Sequence, residues 1–103
     1  MTLIRDAARV CKSKNAGPFE LTIDVVFDDA ATYRKVKATG VLCPDLFARL
    51  YNVPAEHVLF TPYDAAFAFK ATFPRLVPAG EFGDTDVYGC QQHAPLLEVD
   101  LPI

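Results

Sequence analysis

An α+β fold, a four-stranded antiparallel sheet with helices packed on one face, is what this sequence predicts, and three observations predict it. Phe19 to Phe27 and Phe67 to Phe73 alternate apolar and polar residues at the two-residue period of half-buried strands. Between them, Ala30 to Tyr51 carries its apolar residues at helical spacing. Turn formers, not long polar linkers, separate the segments, so all 103 residues read as one domain.

Each element has a local reason. Leu3, Ala7, Val10 and Cys11 recur at helical spacing behind Thr2, which predicts a short N-terminal helix. Ser13-Lys14-Asn15-Ala16-Gly17-Pro18 reads as a loop, because Gly17 and Pro18 together break regular structure. Phe19, Leu21, Ile23, Val25 and Phe27 form the inward row of a first strand. Asp28 or Asp29 caps a helix over Ala30 to Ala38, with Tyr33 and Val36 on its apolar face and Gly40 at its end. Pro44 opens another helix, whose stripe is Leu46, Phe47, Leu50 and Tyr51. Asn52 to Glu56 connects this helix to a second strand over Val58 to Phe60, and Thr61-Pro62-Tyr63-Asp64 reads as the turn of a hairpin. The return strand ends at Pro74. Arg75 to Gly83 reads as a loop, Asp84, Thr85 or Asp86 caps a helix reaching about His93, and Pro95 ends or bends it. Leu97, Val99 and Leu101 alternate with Glu98 and Asp100 in a last strand. The order is strand, helices, strand, strand, helix, strand. That is the ferredoxin-like βαββαβ arrangement, for which right-handed crossovers select the strand order 4-1-3-2.

Composition narrows the partners. The net charge is −3, and the twelve aromatic residues are not interleaved with Lys or Arg, so no basic surface for nucleic acid is expected. No apolar run approaches the roughly 20 residues that span a bilayer, and no signal pattern opens the chain. Three cysteines without framework spacing fit a reducing compartment, so a cytoplasmic protein is expected. Hydrophobic residues reach 51% in a chain with one small core, which points to an interface and an oligomer.

The chemistry-bearing residues concentrate in Ala79 to His93, which holds three of the five glycines. If the first strand runs up, the third runs down. The loops holding Lys14 and Asn15, and Gly83, Asp84 and Asp86, then meet at one end, with His57 opening from it too. Asp84 and Asp86 serve as helix caps, or as paired carboxylates for a cation or for acid–base work. Cys90 and His93 lie three apart on one helical face as a packed pair, a metal pair or a thiolate with its base. Two ligands do not complete a metal centre, so no metal and no cofactor is assigned. Lys14 and Asn15 before Gly17 form a polar turn, or hold a carboxylate or phosphate. Gln91 and Gln92 orient a ligand carbonyl or line an interface. Asp84, Asp86 and His93 are the catalytic candidates; Lys14, Asn15, Gly83, Asp84, Gln91 and Gln92 are the candidates for substrate or partner binding.

Three stretches carry a resemblance: Ser13-Lys14-Asn15-Ala16-Gly17-Pro18-Phe19-Glu20, Phe67-Ala68-Phe69-Lys70, and Gly83-Asp84-Thr85-Asp86-Val87-Tyr88-Gly89 followed by Gln91-Gln92-His93-Ala94-Pro95-Leu96. Through them nearly the whole chain resembles small proteins known only as a domain of unknown function, companions of AtuA-like (acyclic terpene utilisation) proteins. Cys90 stands where that family is expected to carry a small residue such as Ala. The layout is similar to the ferredoxin-like C-terminal domain of AtuA-like proteins, in which a Ser-Gly-Asp-Lys-Gly-type loop takes the place of Ser13 to Gly17. The resemblance implies a small subunit beside an AtuA-like large subunit, in the breakdown of branched or acidic carbon compounds, sometimes as coenzyme A esters. It carries over no catalytic residue. The expected function is a lyase or hydro-lyase acting on a small carboxylic acid or its thioester, with this chain inactive alone. The alternative is a stand-alone homo-oligomeric module that binds a small anion.

Overall fold

The computed structural model describes residues 2–17, 19–74 and 94–103. They form a mixed α+β domain with two antiparallel sheets. Its centre is a pair of seven-residue strands, Glu20–Val26 (β3) and Ala68–Pro74 (β5), in register from Glu20 opposite Pro74 to Val26 opposite Ala68. Residues directly opposite share a face. Leu21 with Phe73, Ile23 with Ala71 and Val25 with Phe69 therefore form one apolar face, and all six are buried. Two helices cover it. Ala30–Thr39 (α2) lays Tyr33 on Phe69, with ring centroids 4.9 Å apart, and Pro44–Tyr51 (α3) lays Tyr51 on Phe73 at 4.7 Å. Burial of such rings, at about 25 cal/mol per Å² of apolar surface, drives the assembly.

Local chemistry starts and stops the helices where the sequence predicts. The Asp29 side chain accepts the Thr32 backbone N–H at 2.7 Å, which also holds its carboxyl below the ordinary range. Gly40 closes α2 in the left-handed conformation at φ 69°, and Asn52 closes α3 at φ 55°. Pro44 occupies the first turn of α3, where its missing N–H costs nothing.

Three expectations are corrected. The N-terminal helix is one turn only, Ile4–Ala7 (α1), and Val10–Asn15 (β2) is a strand antiparallel to β3. Helical spacing there rested on four residues, whereas pairing with β3 supplies a ladder of backbone hydrogen bonds across six positions. The turn back into β3 contains Gly17 at φ 86° and is closed by the Ala16 N–H donating to the Glu20 carbonyl at 2.9 Å. Second, Thr61, Pro62 and Tyr63 do not turn but extend the strand to Leu59–Tyr63 (β4). Pro62 is tolerated because, among the described residues, β4 is an edge strand with no ladder on one side. The chain instead reverses through a 3₁₀ turn at Asp64–Ala66 and Phe67, whose φ is 53°. Third, the last strand does not border β3. Among the described residues the large sheet has the order β2-β3-β5-β4, so the run 1-3-2 of the expected 4-1-3-2 is present and β2 holds the place expected for the last strand. Ala94–Leu97 (α4) is a short helix with Pro95 in its first turn, and Asp100–Leu101 (β6) pairs with Thr2–Leu3 (β1) in the second, small sheet. That unit adds Ile4, Leu96 and Leu101, all fully buried, to the common core. Arg5 pairs with Glu98 across it.

α2 is also tied to the β4–β5 turn by polar groups. The Tyr33 hydroxyl donates to Asp64 Oδ1 at 2.6 Å, and Lys37 Nζ donates to the same oxygen at 2.9 Å. Burial, followed by the hydrogen bond to Asp64, pushes the Tyr33 phenol up to about 12. Burial also raises Tyr51 well above the ordinary tyrosine range. A phenol whose folded pKa exceeds its unfolded value of about 10 contributes stability that is fully present below pH 10 and lost as pH rises through the folded value. Stability measured by urea unfolding should hold to about pH 9 and fall between roughly pH 10 and 12, and Tyr33→Phe should flatten that fall.

Candidate functional site

The alternation that turns Leu21, Ile23 and Val25 toward the helices turns Thr22, Asp24 and Val26 the other way. Register then writes out the second face of the sheet in rows. Lys14, Thr22, Thr72 and Leu59 form one row, and Lys12, Asp24, Lys70 and Thr61 form the next. Val10, Val26, Ala68 and Tyr63 form the third. None of the rings that seat α2 and α3 belongs to it.

This face gathers cations. Lys12, Lys14 and Lys70 stand on it against the carboxylates of Asp24 and Glu20, in a chain whose net charge is −3. Lys12 and Lys70 flank Asp24 on neighbouring strands, while Lys14 stands two residues further along β2, about 7 Å from Lys12. Lys12 and Lys70 are two strand spacings apart, roughly 10 Å, with the Asp24 carboxylate between them. Beside Lys14 the hydroxyls of Thr22 and Thr72 are hydrogen-bonded at 3.0 Å, and Thr22 is buried. Leu59, 68% exposed, and Tyr63, 47% exposed, line the β4 side as an apolar margin that water does not favour.

The sequence sets Lys14 and Asn15 in one polar turn, yet as neighbours in β2 they occupy opposite faces. Lys14 is exposed beside Thr22, and Asn15 is half-buried opposite Leu21 on the helix-covered side. Ser13, also on the covered side, is buried. Because Glu20 is opposite Pro74, the chain leaves β5 at the same end of the sheet as the Asn15-to-Glu20 turn; His57, exposed, precedes β4 at that end too. Gly83, Asp84, Asp86, Cys90, Gln91, Gln92 and His93 lie outside the described residues. Lys12 and Lys70 belong to the cationic face without standing among the candidates that the sequence offers. The alternation of Lys12 and Lys14 with Cys11 and Ser13 was the signal available, and so was the outward position of Lys70 between Phe69 and Ala71.

The described part of this face presents ammonium, carboxylate and hydroxyl groups. It carries no Cys or His, and among the described residues no three His, Cys, Asp or Glu side chains converge as metal ligands. Cys11 stands on the covered face, where burial pushes its thiol up to about 11, far from nucleophilic readiness at neutral pH.

The threonine pair gives a direct test of the face's geometry. Thr22→Val leaves the Thr72 hydroxyl without its partner and should cost about 1–3 kcal/mol in urea unfolding, whereas the double change Thr22→Val with Thr72→Val should recover most of that loss. Additive losses would contradict the pairing.

No curated protein and no solved structure was found to match the chain. A family model does match, over residues 4–100, nearly the full length and including every strand of the large sheet. The chain belongs to the family described as a domain of unknown function, DUF4387.

Proposed function

We propose that this chain is the small subunit of a two-component metabolic enzyme, assembled with an AtuA-like large subunit in the cytoplasm. The assembled enzyme performs lyase or hydro-lyase chemistry on a small carboxylic acid or its coenzyme A thioester. The observation that carries the proposal is the second face of the sheet, where Lys12, Lys14 and Lys70 surround the Thr22–Thr72 pair. A surface with three ammonium groups, a hydroxyl pair and an apolar margin at Leu59 and Tyr63 suits an acidic substrate or the acidic rim of a partner chain. Its own carboxylates, Asp24 and Glu20, stand among the lysines, so the proposal draws its general base from elsewhere in the assembly. Asp84, Asp86 and His93 remain the proposed catalytic contribution of this chain, and Asn15, Gly83, Gln91 and Gln92 its proposed contacts beside Lys14. The proposal keeps the ferredoxin-like reading only for β3, the two helices, β4 and β5, which run in that arrangement's order, while the last strand pairs with β1.

Exposed Leu59 and Tyr63 on one edge strand also favour a second reading, a homo-oligomeric module that holds a small anion without a larger partner.

Co-expression of the untagged chain with a tagged AtuA-like protein, read by native mass spectrometry, separates the two. A heteromer of fixed stoichiometry is expected. Combining Lys12→Gln, Lys14→Gln and Lys70→Gln should weaken it by about tenfold or more and lessen its salt sensitivity. Two separate species, with this chain as a homo-oligomer, would overturn the subunit proposal in favour of the module.

A further inference from the structure

A cavity of about 330 Å³ lies between α2 and the β4–β5 turn, on the covered side and at the end of the sheet opposite the Asn15-to-Glu20 turn. Ala30, Tyr33, Arg34 and Lys37 contribute from α2, at the spacing that keeps helix residues on one side; Asp64 and Phe67 contribute from the turn. Its polar groups are arranged unevenly. Asp64 Oδ1 already accepts from both Tyr33 and Lys37, and those bonds hold its carboxyl below the ordinary range, so its charge is matched by Lys37. Arg34 has no hydrogen bond or ion pair among the described residues. The cavity therefore holds one guanidinium beyond what its own carboxylate neutralises.

The wall opposite is aromatic and strained. Phe67 is held at φ 53°, a conformation costly for a bulky residue and free for glycine. It is pinned there by its N–H donating to the Asp64 carbonyl at 3.3 Å and its carbonyl accepting the Phe27 N–H at 2.8 Å. Its ring sits 6.2 Å from that of Tyr33. A glycine would make the same turn without strain, but it would leave the cavity without this wall.

We propose that this cavity is a binding site for a small organic monocarboxylate with a flat or compact apolar body. The carboxylate pairs with Arg34, which offers two parallel donors to its two oxygens, and the body packs against the ring of Phe67. The volume admits on the order of ten non-hydrogen atoms, the size of a benzoate. The site stands apart from the lysine face and does not rest on the subunit proposal, so each can fail alone.

Benzoate is the probe, titrated into the full-length protein and followed by calorimetry and by the NMR signals of Tyr33 and Phe67. Saturable binding is expected below about 10 mM, with benzamide weaker by about tenfold because it lacks the charge. Arg34→Gln should weaken benzoate about tenfold or more while the circular dichroism spectrum and thermal midpoint stay those of the parent. Lys14→Gln, on the other face, should bind as the parent does. No saturation by about 10 mM, equal affinity in the folded Arg34→Gln protein, or shifts confined to the lysine face would each overturn the assignment.

Discussion

The register between β3 and β5 is the constraint on which the rest of this structure depends. Seven consecutive residues of each strand are opposed, and side chains alternate faces at every step. A slip by one residue would carry Leu21, Ile23 and Val25 to the lysine side and set Thr22 and Asp24 against Tyr33 and Phe47. Each apolar side chain misplaced in that way forfeits roughly 1.5–3 kcal/mol of burial. No surface ion pair among the described residues competes with that. Arg9 with Asp28, at 3.7 Å and largely exposed, belongs to a class worth at most about 1 kcal/mol.

From this one register follow both the core and the cationic face. The helices take the side where Phe69, Ala71 and Phe73 lie, and aromatic contacts run continuously from Phe27 through Phe69 and Phe60 to Phe47 and Phe73. The other side inherits whatever alternates with those residues, namely Lys70 and Thr72 on β5 and Thr22 and Asp24 on β3. β2 and β4 widen it to four strands and bring Lys12, Lys14, Leu59 and Tyr63. The cavity under Phe67 has a different origin, since it exists because the β4–β5 turn is strained and tied to α2 through Asp64.

Elements whose signals are local were legible in the sequence. β3 and β5 announce themselves by alternation, α2 by Asp29 and Gly40 at its ends, and α3 by Pro44 and the Leu46-Phe47-Leu50-Tyr51 stripe. β2 was not legible, because Ser13 and Asn15 face the core only by virtue of pairing with Ile23 and Leu21, a relation that no single window of sequence contains. Pro62 misled for a related reason: a proline signals a turn unless the strand is at an edge, and edge position is a tertiary fact. For the site, Lys14 was visible from its neighbours, but its pairing with Thr22, and the meeting of Tyr33 with Asp64 across 31 residues, depend on the assembled sheet.

The measurement that tests this account most directly is a methyl and aromatic nuclear Overhauser map of the large sheet. The account predicts cross-strand contacts between the methyl groups of Thr22 and Thr72, and of Ile23 and Ala71, with Lys14 side-chain protons near Thr22. Contacts joining Ile23 to Thr72, or Lys14 to Leu21 across the strands, would mean a register shifted by one, and neither the core nor the lysine face would then be as described.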